Sequence, residues 1–281
     1  PALYVADKGY LVPPIKDSNY LDKLKEICRK EDIKAIISLL DPELPILAKH
    51  KDEFEGEGIK VFISSPDIIE VCTDKYKLFE FIKEEGFNTP LTYTTIDDFK
   101  HDLNDNQINF PVFVKPRKGS ASIGINKVNS LKELKSLFDT NDDLIIQQYL
   151  KGQEYGVDAY VDTISGEVIS VFLKEKIRMR AGETDKALSI KNIKLSAMIK
   201  DFVKRLGIVG QADIDIIEDD GKFYILEVNP RFGGGYLIAY ECGDNYPRYI
   251  INNTLDKVNE PDIGNYEEDY YMVRHDTVII K

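Results

Sequence analysis

The sequence predicts an α/β protein of two or three packed units, and three patterns along its 281 residues support this. Over the first 70 residues, short apolar runs alternate with segments of helical spacing, an order typical of parallel strands joined by helices. Between residues 110 and 175, apolar runs of strand length surround a glycine-rich loop. Near residue 220, two alternating runs flank Asp219-Asp220-Gly221, which predicts an antiparallel hairpin.

The first unit, residues 1–70, is predicted from its alternation of strands and helices. Apolar runs of strand length lie at residues 3–6, 35–40 and 60–63. One helix is expected at residues 21–28, and another after Asp41-Pro42, because proline suits a first helical turn. The sequence enters its first strand directly at Pro1, so we expect this α/β domain to lack its opening element.

The region after residue 70 mixes helices and strands. Thr73 or Asp74 can cap a helix that has Leu78 and Ile82 on its apolar side and that Gly86 would end. Apolar spacing indicates further strands at residues 110–116, 144–150, 155–161 and 168–173, and helices at residues 131–138 and 195–206.

Composition limits the classes of function. A hydrophobic fraction of 43% is ordinary for a globular protein, and no apolar run approaches the roughly 20 residues that a membrane-spanning helix needs. The net charge of -12 argues against a general binder of nucleic acid or anionic membranes. The three cysteines form no metal-binding spacing and no signal peptide is visible, so a cytoplasmic location is expected. The three histidines are scattered, which disfavours a zinc site.

The predicted hairpin concentrates oxygen ligands on one face. With a three-residue loop, Asp213 is expected to face Glu227, with Asn229 further along and Asp215 on the same side. Leu226 would then face the core. Opposed carboxylates are destabilising unless a cation compensates them, and hard oxygen ligands favour Mg²⁺ over zinc. The alternative interpretation is a solvated acidic face.

Two lysines and a glycine-rich loop indicate a phosphate site. Gly119 and Gly124 have P-loop spacing, but the Lys-Ser/Thr pair that should follow is missing, and no G-x-G-x-x-G occurs. Instead, Lys115 at the end of its strand and the loop at residues 117–124 can close over phosphates, with Lys75 as a second cation. Singly, such a lysine is usually a surface residue and such a loop is usually a turn. Their combination carries the prediction.

Further cations could meet a phosphate or a substrate. Arg231 precedes the glycine run at residues 233–235, whose backbone can approach an anion closely. Its guanidinium can make paired hydrogen bonds to phosphate or carboxylate oxygens. The candidates for contact with substrate are Arg178, Arg180, Lys186 and Gly234. For the three basic residues, the alternative is a solvated strand edge.

Four motifs together resemble the ATP-grasp enzymes. These motifs are Asp74-Lys75, Pro111-x-x-x-Lys115-Pro, Gln147-Gln-Tyr-Leu-x-Gly-x-Glu154 and Glu227-x-Asn-Pro-Arg231. The resemblance is strongest to the ATP-binding half of the carbamoyl phosphate synthase large chain and to small single-unit ligases like it. It implies an ATP-grasp domain at residues 71–281 with a nucleotide-clamping subdomain at about 110–175. Residues 1–70 would then be a partial, Rossmann-like domain that precedes it.

The resemblance also implies roles for individual residues. Lys75 and Lys115 would contact the phosphates of ATP, and Asp213, Glu227 and Asn229 would hold Mg²⁺, or Mn²⁺ in its place. Lys115 and Arg231 would be catalytic, with Arg231 stabilising the transferred phosphate. The residues that would bind the rest of the nucleotide are Lys118, Gly119, Ser120, Ser122 and Gly124 in the loop, Gln147, Gln148 and Leu150 at the adenine, and Glu154 at the ribose.

The reaction that this family implies transfers the γ-phosphoryl group of ATP to a carboxylate and lets an amine attack the acylphosphate. Its substrates would be a small-molecule carboxylate and an amine, and a homodimer is possible. Carbamoyl phosphate synthesis is a second alternative, although the large chain of that enzyme has two ATP-grasp halves and this sequence has room for one. A third alternative is an ATP-binding module without catalysis. No nucleic-acid or membrane partner is expected.

Overall fold

The computed structural model describes residues 6–119, 124–180 and 182–275. The first unit contains a two-stranded parallel sheet with helices around it, which confirms the predicted βαβ order. Its elements are α1 (Tyr20–Lys30), β1 (Ala35–Ile36), a 3-10 helix (Asp41–Glu43), α2 (Leu44–Lys49), α3 (Lys51–Glu55) and β2 (Lys60–Val61). The apolar run after β1 leaves the sheet early, and Leu39 and Leu40 are exposed. The strand expected at residues 3–6 falls largely outside the described residues.

A four-stranded antiparallel sheet forms the second layer, in the order β3-β6-β4-β5. Its strands are β3 (Thr92–Tyr93), β4 (Val112–Pro116), β5 (Asn126–Val128) and β6 (Leu144–Gln148), and its helices are α6 (Ile96–Asn104) and α7 (Leu131–Phe138). These helices and the sheet enclose a separate apolar core around Phe99 and Val114. The small sheet therefore spans residues 92–148, whereas the clamping subdomain was expected at about 110–175.

A six-stranded antiparallel sheet forms the third layer, in the order β11-β10-β7-β8-β9-β12. Its strands are β7 (Gln153–Val161), β8 (Val168–Arg180), β9 (Glu183–Ile190), β10 (Gly210–Asp219), β11 (Lys222–Asn229) and β12 (Tyr271–Val273). The helices after residue 65 are α4 (Pro66–Thr73), α5 (Lys75–Glu84), α8 (Ile193–Leu206), α9 (Leu237–Glu241) and α10 (Tyr246–Thr254). Side chains of α5 and α8 pack with one face of this sheet in the largest apolar core.

The helix boundaries follow their predicted caps. The Asp74 carboxylate accepts hydrogen bonds from the amides of Tyr76 and Lys77, and so caps α5. Gly207 ends α8 in the left-handed conformation, with φ of 79°. Across the described ranges, none of the helices combines the length and apolarity that crossing a membrane would require.

Asp162 gives the fold a pH-dependent contribution to stability. This buried carboxylate accepts hydrogen bonds from the amide of Ser165 at 2.8 Å and from the side chains of Asn253 at 2.7 Å and Asn259 at 2.8 Å. Burial opposes ionisation, yet these hydrogen bonds prevail and lower its pKa to about 2. Because the folded pKa lies below the unfolded value, the stabilisation is present above about pH 4 and is lost as the pH falls towards 2.

We expect Asp162→Asn to lower the free energy of unfolding by roughly 2 kcal/mol at pH 7, and by progressively less below pH 4. Urea unfolding at pH 7, 4 and 3 measures this difference. The exposed Asp139→Asn is the matched control and is expected to change stability little at each pH. An Asp162→Asn effect of equal size at pH 7 and pH 3 would contradict the assignment.

Candidate active site

A cleft of about 860 Å³ lies between the four-stranded and six-stranded sheets. Residues 39–42 of the first unit also line it, so all three layers contribute. Of the predicted site residues, those that line the cleft are Lys115, Gln147, Gln148, Leu150, Glu154, Asp213, Glu227, Asn229, Arg231 and Gly234. The structure thus brings together residues from distant parts of the sequence.

The register of the β10–β11 hairpin differs from the prediction. Asp213 pairs with Asn229, and Asp215 pairs with Glu227, so the expected pairing of Asp213 with Glu227 is wrong. The turn has two residues instead of three, and a bulge beside Asp215 leaves Leu226 as the extra residue on β11. The bulge turns Leu226 into the cleft, where the prediction had placed it in the core. The predicted polar set still shares one face.

Two of these carboxylates, Asp213 and Glu227, have raised pKa values in the absence of a bound cation. Burial, followed by the charges of Asp215 and Asp158, raises the pKa of Asp213 to about 7, against the opposing effect of Lys174. Burial and Asp215 likewise raise the pKa of Glu227. Such groups gain from a bound divalent ion, which restores their charged form.

The donor set fits Mg²⁺ better than a transition metal. The amide nitrogen of Asn229 lies 3.4 Å from Oδ2 of Asp213, so both side chains reach the same space. Within the described residues, no group of three or more histidine, cysteine, aspartate or glutamate side chains is arranged to hold a metal ion. Two carboxylates and one amide would therefore leave the other positions to water and phosphate oxygens, as Mg²⁺ prefers.

Lys115 is a buried cation in this cleft. It lies near the end of β4 and its exposure is only 8%. Burial lowers its pKa to about 8, and the charge of Lys75 acts in the same direction, while Glu227 and Asp215 oppose the shift. A lysine held in this way suits an anionic ligand that can supply the missing negative charge.

The start of α5 is tied to the predicted phosphate loop. Nζ of Lys75 donates to the carbonyl of Gly119, and the Lys75 amide donates to the carbonyl of Arg117 at 3.1 Å. Arg117 in turn donates through Nε to the Asp74 cap at 2.8 Å. Lys118, Gly119 and Gly124 are described, whereas Ser120 and Ser122 lie outside the described residues. Lys75 is thus placed to act with the loop, beside the cleft.

The region predicted for adenine lies along the end of β6. The side chain of Gln147 donates to the hydroxyl of Thr92 at 3.1 Å. The backbone and side chain of Gln148 both bond to Leu91, which fixes this edge of the cleft. The apolar residues that line the cleft nearby are Pro90, Phe113, Ile217 and Leu226. An apolar slot with fixed polar edges suits a planar base.

Lys176 is a cleft residue that the sequence analysis missed. It lies on β8, its side chain is only 6% exposed, and its ammonium contacts Asp215 at 2.5 Å. Gly156 on the intervening strand makes room for it, because a Cβ there would lie 3.3 Å from Cε of Lys176 and 2.7 Å from Cε of Lys174. Lys174 crosses the same gap to pair with the buried Asp158. Alternation along β8, which places Lys174 and Lys176 on the same face of the strand, is the signal that could have found it.

The basic residues predicted to contact substrate lie elsewhere. A register shift after Lys176 turns Arg178 and its partner Lys186 to the opposite face of the sheet. Nε of Arg180 lies 3.1 Å from the Asp185 carboxylate, and Nε of Arg178 lies 3.7 Å from it. Among the described residues, those lining the cleft do not include Arg178, Arg180 or Lys186. Their contact with substrate stays a prediction.

The glycine run after Arg231 lets the backbone approach functional side chains. A Cβ at Gly233 would lie 2.4 Å from Oδ1 of Asp213, and a Cβ at Gly234 would lie 2.9 Å from Oε2 of Glu183. Arg231 itself donates through Nη2 to the Asp41 carboxylate at 2.9 Å and through Nη1 to the carbonyl of Phe232 at 2.9 Å. This loop and residues 39–42 of the first unit therefore line the cleft together.

Comparisons with known proteins agree with this arrangement. Residues 72–235 match the family model described as an ATP-grasp domain, and residues 1–62 match a PylC-like N-terminal domain. A carbamoyl-phosphate synthase of Methanobrevibacter smithii is 27% identical over 96% of this chain and 75% of its own length. A D-alanine--D-alanine ligase A of Bacillus cereus is 26% identical over 75% of this chain and 78% of its own length.

A solved structure gives the same fold. The biotin carboxylase domain of the Hydrogenobacter thermophilus 2-oxoglutarate carboxylase, solved with MgADP and bicarbonate, has a TM-score of 0.76 at 16% identity, over 96% of this chain and 64% of that chain. The present chain also spans only 22% and 21% of two carbamoyl phosphate synthase large chains that resemble it.

Fold and cleft together define a nucleotide-dependent enzyme built on two sheets that face each other. The chain belongs to the ATP-grasp family. The predicted α/β architecture and the expectation of an ATP-grasp ligase are thereby confirmed at the level of the family.

Proposed function

We propose that this protein is an Mg-ATP-dependent ligase that activates a small-molecule carboxylate and joins it to an amine. The observation that carries the proposal is the convergence of Lys115, Glu227 and the Asp213–Asn229 pair in one cleft. An oxygen-ligand set beside a buried lysine is what a metal-bound triphosphate requires. Matches to amide-forming relatives, such as the D-alanine--D-alanine ligase, support the choice of an amine acceptor.

The proposed reaction has two steps. A carboxylate oxygen of the substrate attacks the γ-phosphorus of ATP, the bond to the β–γ bridging oxygen breaks, and ADP leaves. The amine nitrogen then attacks the acyl carbon, phosphate leaves, and the nitrogen loses a proton. Both steps depend on positioning and charge neutralisation, so no nucleophilic side chain is needed.

Individual residues would have the following roles in binding the metal and the nucleotide. Asp213, Glu227 and Asn229 would hold Mg²⁺, or Mn²⁺ in its place, which neutralises phosphate charge when it is bound. Lys75, Lys115 and the loop at residues 118–124 would hold the phosphates, with Lys176 as a further cation. The remaining proposed contacts are Gln147, Gln148 and Leu150 with adenine, Glu154 with ribose, and Arg231 with the transferred phosphoryl group.

Carbamoyl phosphate synthesis is the second candidate. The relative from Methanobrevibacter smithii carries that name and matches 96% of this chain. In that reaction bicarbonate would take the place of the organic carboxylate, and ammonia the place of the amine.

An ADP-release assay separates the two candidates. Amino acids and other organic acids would be supplied with Mg-ATP, alone and with amine acceptors, beside bicarbonate with ammonia or glutamine. ADP release with an organic acid and an amine is the expected result. A response to bicarbonate alone would favour carbamoyl phosphate synthesis, and nucleotide binding without ADP release would favour a non-catalytic module.

The lowered pKa of Lys115 predicts a proton uptake when nucleotide binds. Free Lys115 loses its charge as the pH rises through about 8, and bound phosphates would raise its pKa again. Affinity for MgADP should therefore fall above pH 8, by at most about tenfold per pH unit, with uptake of a proton. Calorimetric titrations at pH 7 and pH 9 in buffers of different ionisation enthalpy measure this. Lys115→Arg stays charged and should lose the effect, and persistent uptake in that variant would contradict it.

We further propose the ATP-grasp domain at residues 71–281 and a Rossmann-like domain at residues 1–70. A homodimer is proposed as the assembly. The cytoplasm is proposed as the location, because Cys28, Cys72 and Cys242 are all free and buried.

A further inference from the structure

The structure assigns a positioning role to Asp41, which links the first unit to Arg231. Asp41 opens the 3-10 helix that follows β1, and it lines the cleft together with Arg231. The inference rests on the proposed function, because it concerns the guanidinium proposed to meet the transferred phosphoryl group. Nothing in the local sequence joins the two residues, which lie 190 positions apart.

The contact between the two side chains is bidentate. Nε and Nη2 of Arg231 both donate to the Asp41 carboxylate, the second at 2.9 Å. Nη1 donates to the carbonyl of Phe232 at 2.9 Å, and Nη2 lies 3.4 Å from Oδ1 of Asn229. The side chains are only 15% and 22% exposed. A planar guanidinium with hydrogen-bond partners on three sides is held in one orientation.

Asp41 accepts two of the hydrogen bonds that orient Arg231, while Phe232 and Asn229 accept one each. The strand ends at Asn229, and the three residues at 233–235 are glycines that offer no side chains for packing. An arginine loses rotamer entropy when its side chain is fixed in one position. A partner that fixes it beforehand removes that cost from the step in which charge develops on the phosphoryl oxygens. The position of the Arg231 guanidinium would thus depend on one side chain of the first unit, Asp41.

The test compares Asp41→Asn, Arg231→Lys and the double variant. Asp41→Asn keeps the size of the side chain but removes the charge, and we expect kcat for ADP release to fall about 10- to 100-fold with little change in the KM for ATP. The double variant should be no slower than Arg231→Lys, because the two residues act as one unit. Asp256→Asn is the matched control: it breaks the Lys60–Asp256 ion pair, another link to the first unit, away from the cleft.

The possible outcomes distinguish failure of the proposed role of Asp41 from failure of the proposed ligase function. Wild-type turnover in Asp41→Asn, or fold-losses that multiply in the double variant, would overturn the role of Asp41 while leaving the proposed ligase intact. An equal loss in Asp256→Asn would show that docking of the first unit matters generally, and would also overturn it. Loss of MgADP binding in Asp41→Asn would also overturn the positioning role, because the Asp41–Arg231 ion pair would then serve to maintain the fold. A wild-type protein that releases no ADP with any substrate would overturn the proposed function and this inference together.

Discussion

Glu227→Gln is expected to lower ADP release by about 1000-fold or more while leaving the fold intact. Glu227 is one of two half-buried carboxylates in the proposed metal site, and its charge interacts with that of the buried Lys115. Glutamine keeps the shape and one acceptor oxygen but removes the charge that would hold a divalent ion. The measurement is ADP release at saturating ATP over a range of Mg²⁺ concentrations, with MgADP binding followed separately.

The stability of Glu227→Gln against urea is a second measurement on this variant. Burial raises the pKa of Glu227, so folding disfavours its charged form, and a neutral side chain removes that cost at pH 7. We therefore expect Glu227→Gln to unfold at the same or a higher urea concentration than the wild type. Glu218→Gln is the matched control on the same hairpin, since it can still accept from the Tyr155 hydroxyl. ADP release at the wild-type level in Glu227→Gln would place the metal elsewhere.

The sequence predicted which residues share the cleft because strand alternation survives small errors of register. Asp213, Asp215, Glu227 and Asn229 lie on one face, as expected, although their pairing differs. The face of a strand depends on its apolar pattern alone, which is a local property. The helix caps at Asp74 and Gly207 were predictable for the same reason.

The register itself needed information that the apolar pattern does not hold. Asp220 and Gly221 both have positive φ, at 51° and 71°, so they form a two-residue turn of the kind that Asp-Gly favours. The prediction gave the loop a third residue, and it could not foresee the bulge that turns Leu226 into the cleft. Bulges depend on packing between strands, so the sequence of one strand alone does not predict where they form.

Two contributions to the site were beyond local reasoning. Lys176 reaches Asp215 only because Gly156, on a third strand, leaves the space open. Asp41 reaches Arg231 across the boundary between two units. In both cases the partner lies far away in the sequence, so the contact follows from the tertiary arrangement and not from spacing along the chain.

Gly233→Ala is expected to lower Mg²⁺-dependent ADP release by about 100-fold, because small displacements of a positioned ligand cost that much. The added Cβ would lie 2.4 Å from Oδ1, 2.5 Å from Cγ and 2.9 Å from Cβ of Asp213. The whole carboxylate must therefore move, since contact extends to the base of the side chain. Asp213 is proposed to bind the metal, so the Mg²⁺ concentration for half-maximal rate should rise as well.

Gly235→Ala is the matched comparison in the same glycine run. Its Cβ would meet Cε of Lys174 at 3.3 Å and Cβ of Thr184 at 3.6 Å, distances that a small adjustment can accommodate. We expect a loss of activity several times smaller, with the Mg²⁺ dependence unchanged. Equal losses in the two variants would mean that the loop needs glycine for its own conformation. A loss confined to Gly233→Ala, with a shifted Mg²⁺ dependence, would tie the glycine to Asp213, because only that position forces the carboxylate aside.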